Sequence, residues 1–196
     1  MSGLRILSGD AKGRVLKTLK ADDLSVRPLL GRIKKSLFDI IRPKLQGAEF
    51  LDLFAGTGAV GLEALSNGAR RVVFVEQSPV SLKLIKENID MLGYGARGVI
   101  QRADITRGLE WLKLQFDIVF MGPPYKDEKK RPLFLTAPAL FSVVRSALVA
   151  ADGWIICQHH KKEPVKIPQG VEMFRQEHYG DTTVSFFKNC SKAANV

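Results

Sequence analysis

The chain is poor in cysteine and histidine and has no long apolar run. Each shortage removes a class of protein. Two cysteines, Cys157 and Cys190, in 196 residues cannot build a disulfide framework or, alone, a zinc site, so a reducing, cytoplasmic setting is expected. No window approaches the roughly 18 consecutive apolar residues that cross a bilayer, which argues against a membrane role. The N-terminus is basic at Arg5, Lys12 and Arg14, yet no apolar stretch follows, so no secretory signal is expected. There is no internal repeat, no low-complexity tract and no defensible Ser-His-Asp pattern. His159 and His160 are adjacent, and neighbours on a strand point to opposite faces, so no shared metal is expected.

What is present is globular. Hydrophobic residues make up 45% of the chain and charged residues 26%, proportions that suit one α/β domain with room for a small appendage. The net charge of +10 is uneven. Residues 1–47 hold 11 Lys and Arg against 4 Asp and Glu, a net +7, and the remaining three-quarters is nearly balanced. Such a surplus suits a polyanion such as nucleic acid, although a solvated basic surface has the same composition. The expected division is a basic appendage over 1–47, a catalytic body over 48–190 and a tail over 191–196.

Along the chain, Ile6-Leu7 and Val15-Leu16 flank the turn residues Gly9-Asp10-Ala11-Lys12-Gly13, which reads as a hairpin. After Pro28, Leu29, Leu30, Ile33, Leu37, Ile40 and Ile41 recur at helical spacing, with Arg32, Lys34 and Lys35 between them on an expected basic face. From Glu49 onward the pattern alternates between short apolar strands and helical stretches. Strands are expected at 50–54, 72–75, 99–101, 116–120 and 154–157, and helices at 60–65, 79–92, through Leu109 and Leu112, and at 137–149. This alternation predicts a parallel sheet covered on both faces. Residues 171–174 and 182–187 flank Tyr179-Gly180-Asp181 and predict a closing antiparallel hairpin. Trp111 and Trp154 read as core, and His178 as surface or turn.

The strand ending Leu51-Asp52-Leu53-Phe54 runs into Ala55-Gly56-Thr57-Gly58-Ala59-Val60-Gly61. Three glycines at this spacing, after a strand and before a helix, form a nucleotide-type cofactor loop. Spacing alone does not distinguish a dinucleotide from S-adenosylmethionine. The acids do: Asp52 at the strand end disfavours a pyrophosphate but suits a sulfonium and an ammonium. Glu76 ends the next strand, where a carboxylate can accept from both ribose hydroxyls, and Asp104 follows the third strand, where adenine would lie. The capping alternatives for Asp52 and Asp104 stay open. Candidate cofactor residues are Asp52, Phe54, Ala55, Gly56, Thr57, Gly58, Glu76, Gln77, Asp104 and Ile105.

The fourth strand leads to Gly122-Pro123-Pro124-Tyr125. Here the sequence resembles amino-methylating methyltransferases, whose signature is Asn or Asp, Pro-Pro and an aromatic residue. In that family an acceptor side chain and a backbone carbonyl bind the two amine hydrogens, freeing the lone pair for in-line attack, while the aromatic ring stacks on the extruded base. Gly122 departs from the pattern because it offers no acceptor. Three readings of Gly122 stand: an inactivated or engineered chain, a substitute from Asp127, Glu128 or backbone acceptors, or another target. The turn residues Gly122, Pro123, Pro124 and Tyr125 are the catalytic candidates.

Over nearly its whole length the chain resembles the bacterial 16S rRNA (guanine(966)-N(2))-methyltransferases. Arg5-Ile6, Gly9, Gly13-Arg14 and Leu16 match that family's opening hairpin. Arg27-Pro28, Arg32-Ile33 and Ser36-Leu37-Phe38 resemble its following helix. Asp52 to Ala59 with Gly61-Leu62-Glu63-Ala64, Phe74-Val75-Glu76 and Tyr179-Gly180-Asp181-Thr182 resemble its cofactor loop, ribose-binding strand and closing hairpin. Besides Gly122, Leu29-Leu30-Gly31 replaces more polar residues, and Gln158 stands near a position that is often acidic. The resemblance implies an α/β class I S-adenosylmethionine-dependent methyltransferase, Rossmann-like, with strand order 3-2-1-4-5-7-6 and the last strand antiparallel. It also implies RNA methylation on an assembled or assembling small ribosomal subunit. The expected protein is a cytoplasmic monomer. Candidate RNA contacts are Arg5, Lys12, Arg14, Arg27, Arg32, Lys35, Lys126, Lys129, Lys130 and Arg131. A non-catalytic RNA-binding or assembly factor, and a DNA amino-methylase, remain as alternatives.

Overall fold

The structure, a computed structural model, describes residues 4–19, 31–127 and 129–190. It contains a seven-stranded sheet of order β3-β2-β1-β4-β5-β7-β6, the order expected from the sequence. Its strands are β1 (Glu49–Leu53), β2 (Arg71–Glu76), β3 (Gly98–Arg102), β4 (Phe116–Met121), β5 (Val149–His160), β6 (Val171–Tyr179) and β7 (Thr182–Asn189). The helices are α1 (Gly31–Ile41), α2 (Ala59–Ser66), α3 (Pro79–Leu92) and α4 (Thr136–Arg145). Among the described residues, no helix is long and apolar enough to cross a membrane. The chain divides into two compact units, Met1–Asp104 and Ile105–Val196.

In the first unit, β1, β2 and β3 pair in parallel. Phe50, Leu51 and Leu53 of β1 and Val72, Phe74 and Val75 of β2 are fully buried. A near-continuous apolar strand is what a sheet covered on both faces requires. Helix α3 starts where Ser78 caps Ser81 N and Pro79 occupies the first turn, and it stops at left-handed Gly93 (φ 76°).

The N-terminal hairpin forms, but its ladder is a single antiparallel bridge, Arg5 to Val15. Its turn is fastened to the C-terminus of α2, where Asp10 N donates to Ser66 O at 2.9 Å and Ala11 N to Ser66 Oγ at 3.0 Å. Gly9 is essential there, since its φ is +83° and an added Cβ would lie 1.8 Å from Ser66 O.

One expectation for α1 is corrected. Lys34 is not on the basic face, because it lies one helical turn before Leu37 and Phe38 and shares their burial. Arg32 and Lys35 are the exposed cations of that segment.

In the second unit, β4 and β5 are parallel, β7 runs antiparallel to both β5 and β6, and the closing hairpin is longer than expected. The helix expected through Leu109 and Leu112 shrinks to a 3-10 turn, Ile105–Arg107. Gly108 interrupts it with φ +97°, and both leucines are buried without a helix. The helix expected to reach Val149 ends at Arg145, because Ala147 turns left-handed at φ 51° and Val149 already belongs to β5. Trp111 is half-exposed rather than core, and Trp154 packs on Phe174 with ring centroids 4.9 Å apart.

Candidate active site

The cofactor-type loop of the first unit is built around two carboxylates. β1 ends at Leu53, and the next residue, Phe54, adopts φ 59°. A bulky side chain in the left-handed region is strained, and such strain concentrates at ligand sites. Gly56 and Gly58 follow at φ 56° and 78°. Ala55 N donates to Val75 O at 3.2 Å and Gly58 N to Ala55 O at 2.8 Å, which locks the loop against the end of β2.

Asp52 lies beneath this loop. It is 1% exposed, and its Oδ2 accepts from Gly61 N at 2.8 Å in the first turn of α2. Burial pushes its carboxyl up to about 8, against the lowering effect of the Gly61 bond and with the charge of Glu76 adding to the rise. Its observed work is to hold the loop to the helix N-terminus.

Glu76, at the end of β2, is half-buried. Its Oε2 accepts from Gly56 N at 2.8 Å, and its Oε1 accepts from Gln77 N at 2.8 Å and Ser78 N at 2.9 Å. These bonds use three of about four acceptor positions, leaving capacity for a hydroxyl donor. Gln77 is exposed beside it. Asp104 precedes the 3-10 turn that begins at the buried Ile105, and Ala103 N donates to Glu76 O at 3.2 Å. Thr57 is buried in the loop, and its carbonyl accepts from Asn88 Nδ2 at 3.4 Å. The segment from Phe54 to Gly58 has no Lys or Arg. A donor set of carboxylates and backbone groups, without a cation, fits S-adenosylmethionine, which carries positive charge and no phosphate.

The second unit supplies the Pro-Pro-Tyr turn directly after β4. Met121 pairs with Cys157 in the parallel ladder, so the next residues, Gly122 and Gln158, continue abreast. Gln158 Nε2 donates to the Tyr125 hydroxyl at 3.1 Å. The Tyr125 ring meets His160 edge-on at 5.8 Å between centroids. Gln158 and His160, two apart on β5, thus share a face. His159 points the other way and is buried, with Nε2 2.9 Å from Ser185 Oγ. Burial lowers its imidazolium pKa. Gly122 and Tyr125 are half-buried, Pro123 is buried and Pro124 is exposed.

Asp127 is engaged with Arg131, four residues further along the loop. Its two oxygens accept from Arg131 N at 2.8 Å and Arg131 Nε at 2.7 Å. The Arg131 backbone bond is the main cause holding its carboxyl below the usual range. The same bonds order the basic loop, which is also closed by Leu133 N donating to Tyr125 O at 2.9 Å. Lys126, Lys129, Lys130 and Arg131 are exposed on it. Glu128 and Arg27 lie outside the described residues.

The remaining N-terminal candidates are also exposed. Arg5 Nη1 donates to Gly13 O at 3.0 Å, Arg14 Nη2 to Met91 O at 3.1 Å, and Lys35 pairs with Asp39 at 2.7 Å. Lys12 and Arg32 are solvent-facing. A groove lined by His159, Gln176, His178 and Ser185 contains none of the expected site residues.

Sequence reasoning missed Glu63 as a structural hub. Its carboxylate accepts from Leu7 N, Ser8 N and Ser8 Oγ at 2.8–3.0 Å and from Lys34 Nζ at 2.7 Å. An acid inside an otherwise apolar helix was the available signal.

Known proteins agree with this architecture. The Bacillus subtilis protein YlbH is 33% identical over 191 residues, spanning 94% of this chain and 98% of that protein. The Haemophilus influenzae "Ribosomal RNA small subunit methyltransferase D" is 27% identical over 193 residues, spanning 95% and 94%. The solved structure of the Escherichia coli protein yhhF superposes with a TM-score of 0.80 at 22% identity, covering 96% of this chain and 99% of that one, and so shares the fold. Residues 4–188 match the family model described as "Conserved hypothetical protein 95", and the chain belongs to that family.

Proposed function

We propose that this protein methylates the N2 amine of a guanine in small-subunit (16S) ribosomal RNA, using S-adenosylmethionine. The observation that carries the proposal is a carboxylate-anchored glycine loop combined, in one class I chain, with a Pro-Pro-Tyr turn ordered at the end of β4. A relative aligned over 94% of its own length is named for small-subunit rRNA methylation.

Glu76 receives a ribose hydroxyl at its remaining acceptor position, and Asp104 and Ile105 flank the adenine. Asp52, beneath the loop, holds it to the first turn of α2 through Gly61 N. When bound, the cofactor supplies a sulfonium methyl group: the S–CH3 bond breaks with its electron pair going to sulfur as the N2 lone pair forms the new N–CH3 bond. The displaced amine proton then passes to water. Tyr125 stacks on the extruded guanine, and the Pro123 carbonyl accepts one amine hydrogen. The prolines fix the turn so that these groups converge.

Residues 1–47 dock RNA phosphates through Arg5, Lys12, Arg14, Arg27, Arg32 and Lys35. The ordered loop of Lys126, Lys129, Lys130 and Arg131 clamps phosphates beside the base. The protein acts as a cytoplasmic monomer on the assembled or assembling small subunit.

The test is methyl transfer from labelled S-adenosylmethionine to small subunits lacking the modification, with large subunits as control. Label confined to small-subunit RNA supports the proposal. RNA binding without transfer would instead identify a non-catalytic assembly factor.

A further inference from the structure

We infer that the carboxamide of Gln158 takes the place of the acceptor that Gly122 lacks, making Gln158 the side-chain acceptor for one hydrogen of the target amine. This inference rests on the methyl-transfer function proposed above.

The backbone does not require glycine at 122, since its φ lies outside the left-handed region. An added Cβ would meet Gln158 Oε1 at 3.4 Å and the Phe120 ring at 3.4–3.5 Å, which are ordinary contacts. The space next to a side chain at 122 is therefore occupied by one specific polar atom, the Gln158 amide oxygen. Strand register explains this placement. Met121 pairs with Cys157 in parallel, and the chain continues on each strand to Gly122 and Gln158.

The orientation of the carboxamide is also set. Its nitrogen donates to the Tyr125 hydroxyl at 3.1 Å, so its oxygen is directed toward the Gly122 end of the turn. That oxygen is an acceptor with two lone pairs. Gln158 thereby joins the stacking ring and the amine-binding position of one turn. Asp127, the acid that follows the turn, is tied to Arg131, and His160 Nδ1 accepts from Lys162 N at 3.1 Å.

The amide is a hydrogen-bond acceptor here, not a base. It holds an N2–H of guanine so that the nitrogen lone pair is directed at the sulfonium methyl. The S–CH3 electrons go to sulfur as N–CH3 forms, and the surplus proton leaves the methylated nitrogen for water. A neutral acceptor suffices because that nitrogen becomes strongly acidic only once it is methylated.

The test compares single-turnover methylation of unmodified small subunits by the parent, Gln158→Ala, and Gly122→Asn combined with Gln158→Ala. Calorimetric S-adenosylmethionine affinity and melting temperature are measured for each. Gln158→Ala is expected to slow transfer by about 100-fold, the scale of losing one positioned hydrogen-bonding group, with cofactor affinity unchanged. The double variant is expected to recover at least about tenfold, because an amide is restored to the same space. Transfer by Gln158→Ala within about threefold of an active parent overturns the inference and leaves the methyl-transfer proposal standing. So does a loss that the double variant fails to reverse, which marks a packing role. A silent parent with an active double variant overturns the inference alone. Silence from both, with cofactor still bound, overturns the proposed function, and the inference falls with it.

Discussion

Lys34 Nζ lies 2.7 Å from Glu63 Oε2, and neither side chain is more than 1% exposed. The pair joins α1 to α2. The same carboxylate also holds the backbone of Leu7 and Ser8, while Lys34 donates to Arg5 O at 2.7 Å. The basic hairpin is thus bolted to the helix that follows the cofactor loop. Burial pulls the Lys34 ammonium below its usual pKa, and Glu63 opposes that shift.

Glu63→Ala removes the acceptor and strands a buried ammonium together with three donors. It is expected to destabilise the fold by about 3–5 kcal/mol, as for other broken buried pairs. Urea denaturation measures this. A loss below about 1 kcal/mol would show that the pair is dispensable.

Asp52 makes stability depend on pH. Its carboxyl is raised from the ordinary 3.8 to about 8 when folded, so between those values the folded chain holds a proton that the unfolded chain has released. Its contribution to stability therefore falls as pH rises through that window. Asp52→Asn keeps an acceptor for Gly61 N and abolishes the titration. The melting temperature of the parent should fall relative to this variant between about pH 4 and pH 8. Parallel profiles would contradict the assignment.

Glu76 links Gly56 N to the end of β2 and is proposed to receive the ribose. Glu76→Ala should weaken S-adenosylmethionine binding by at least about tenfold, from the usual worth of a charge-assisted hydrogen bond. Calorimetry decides, and unchanged affinity would remove Glu76 from the cofactor site.

The basic loop gives a prediction readable in salt. Replacing Lys126, Lys129 and Lys130 by Ala should make the dependence of log affinity on log salt shallower by roughly 2, at about 0.7 per phosphate contact on single-stranded RNA. Filter binding over a salt series measures the slope. An unchanged slope would place RNA away from the loop.

Much of this fold was legible in local chemistry. Pro79 and Gly93 bracket α3 just where capping rules place its ends. The apolar runs of β1 and β2 announced a sheet buried on both faces. The missed features depend on partners distant in sequence. Lys34 reads as surface until Glu63, in another helix, meets it. The short 3-10 turn at Ile105 follows from the backbone of Gly108 rather than from apolar spacing. In the candidate site, the glycine loop and the Pro-Pro-Tyr turn could be read directly. Strand pairing was needed to bring Gln158 beside Gly122, and side-chain bonding was needed to show Asp127 committed to Arg131.

The most direct measurement is mass spectrometry of nucleosides from unmodified small subunits, after incubation with the parent protein and methyl-labelled S-adenosylmethionine. Labelled N2-methylguanosine as the single new product is the expected result. No labelled nucleoside, or label in adenosine or cytidine, would contradict guanine-N2 methylation by this chain.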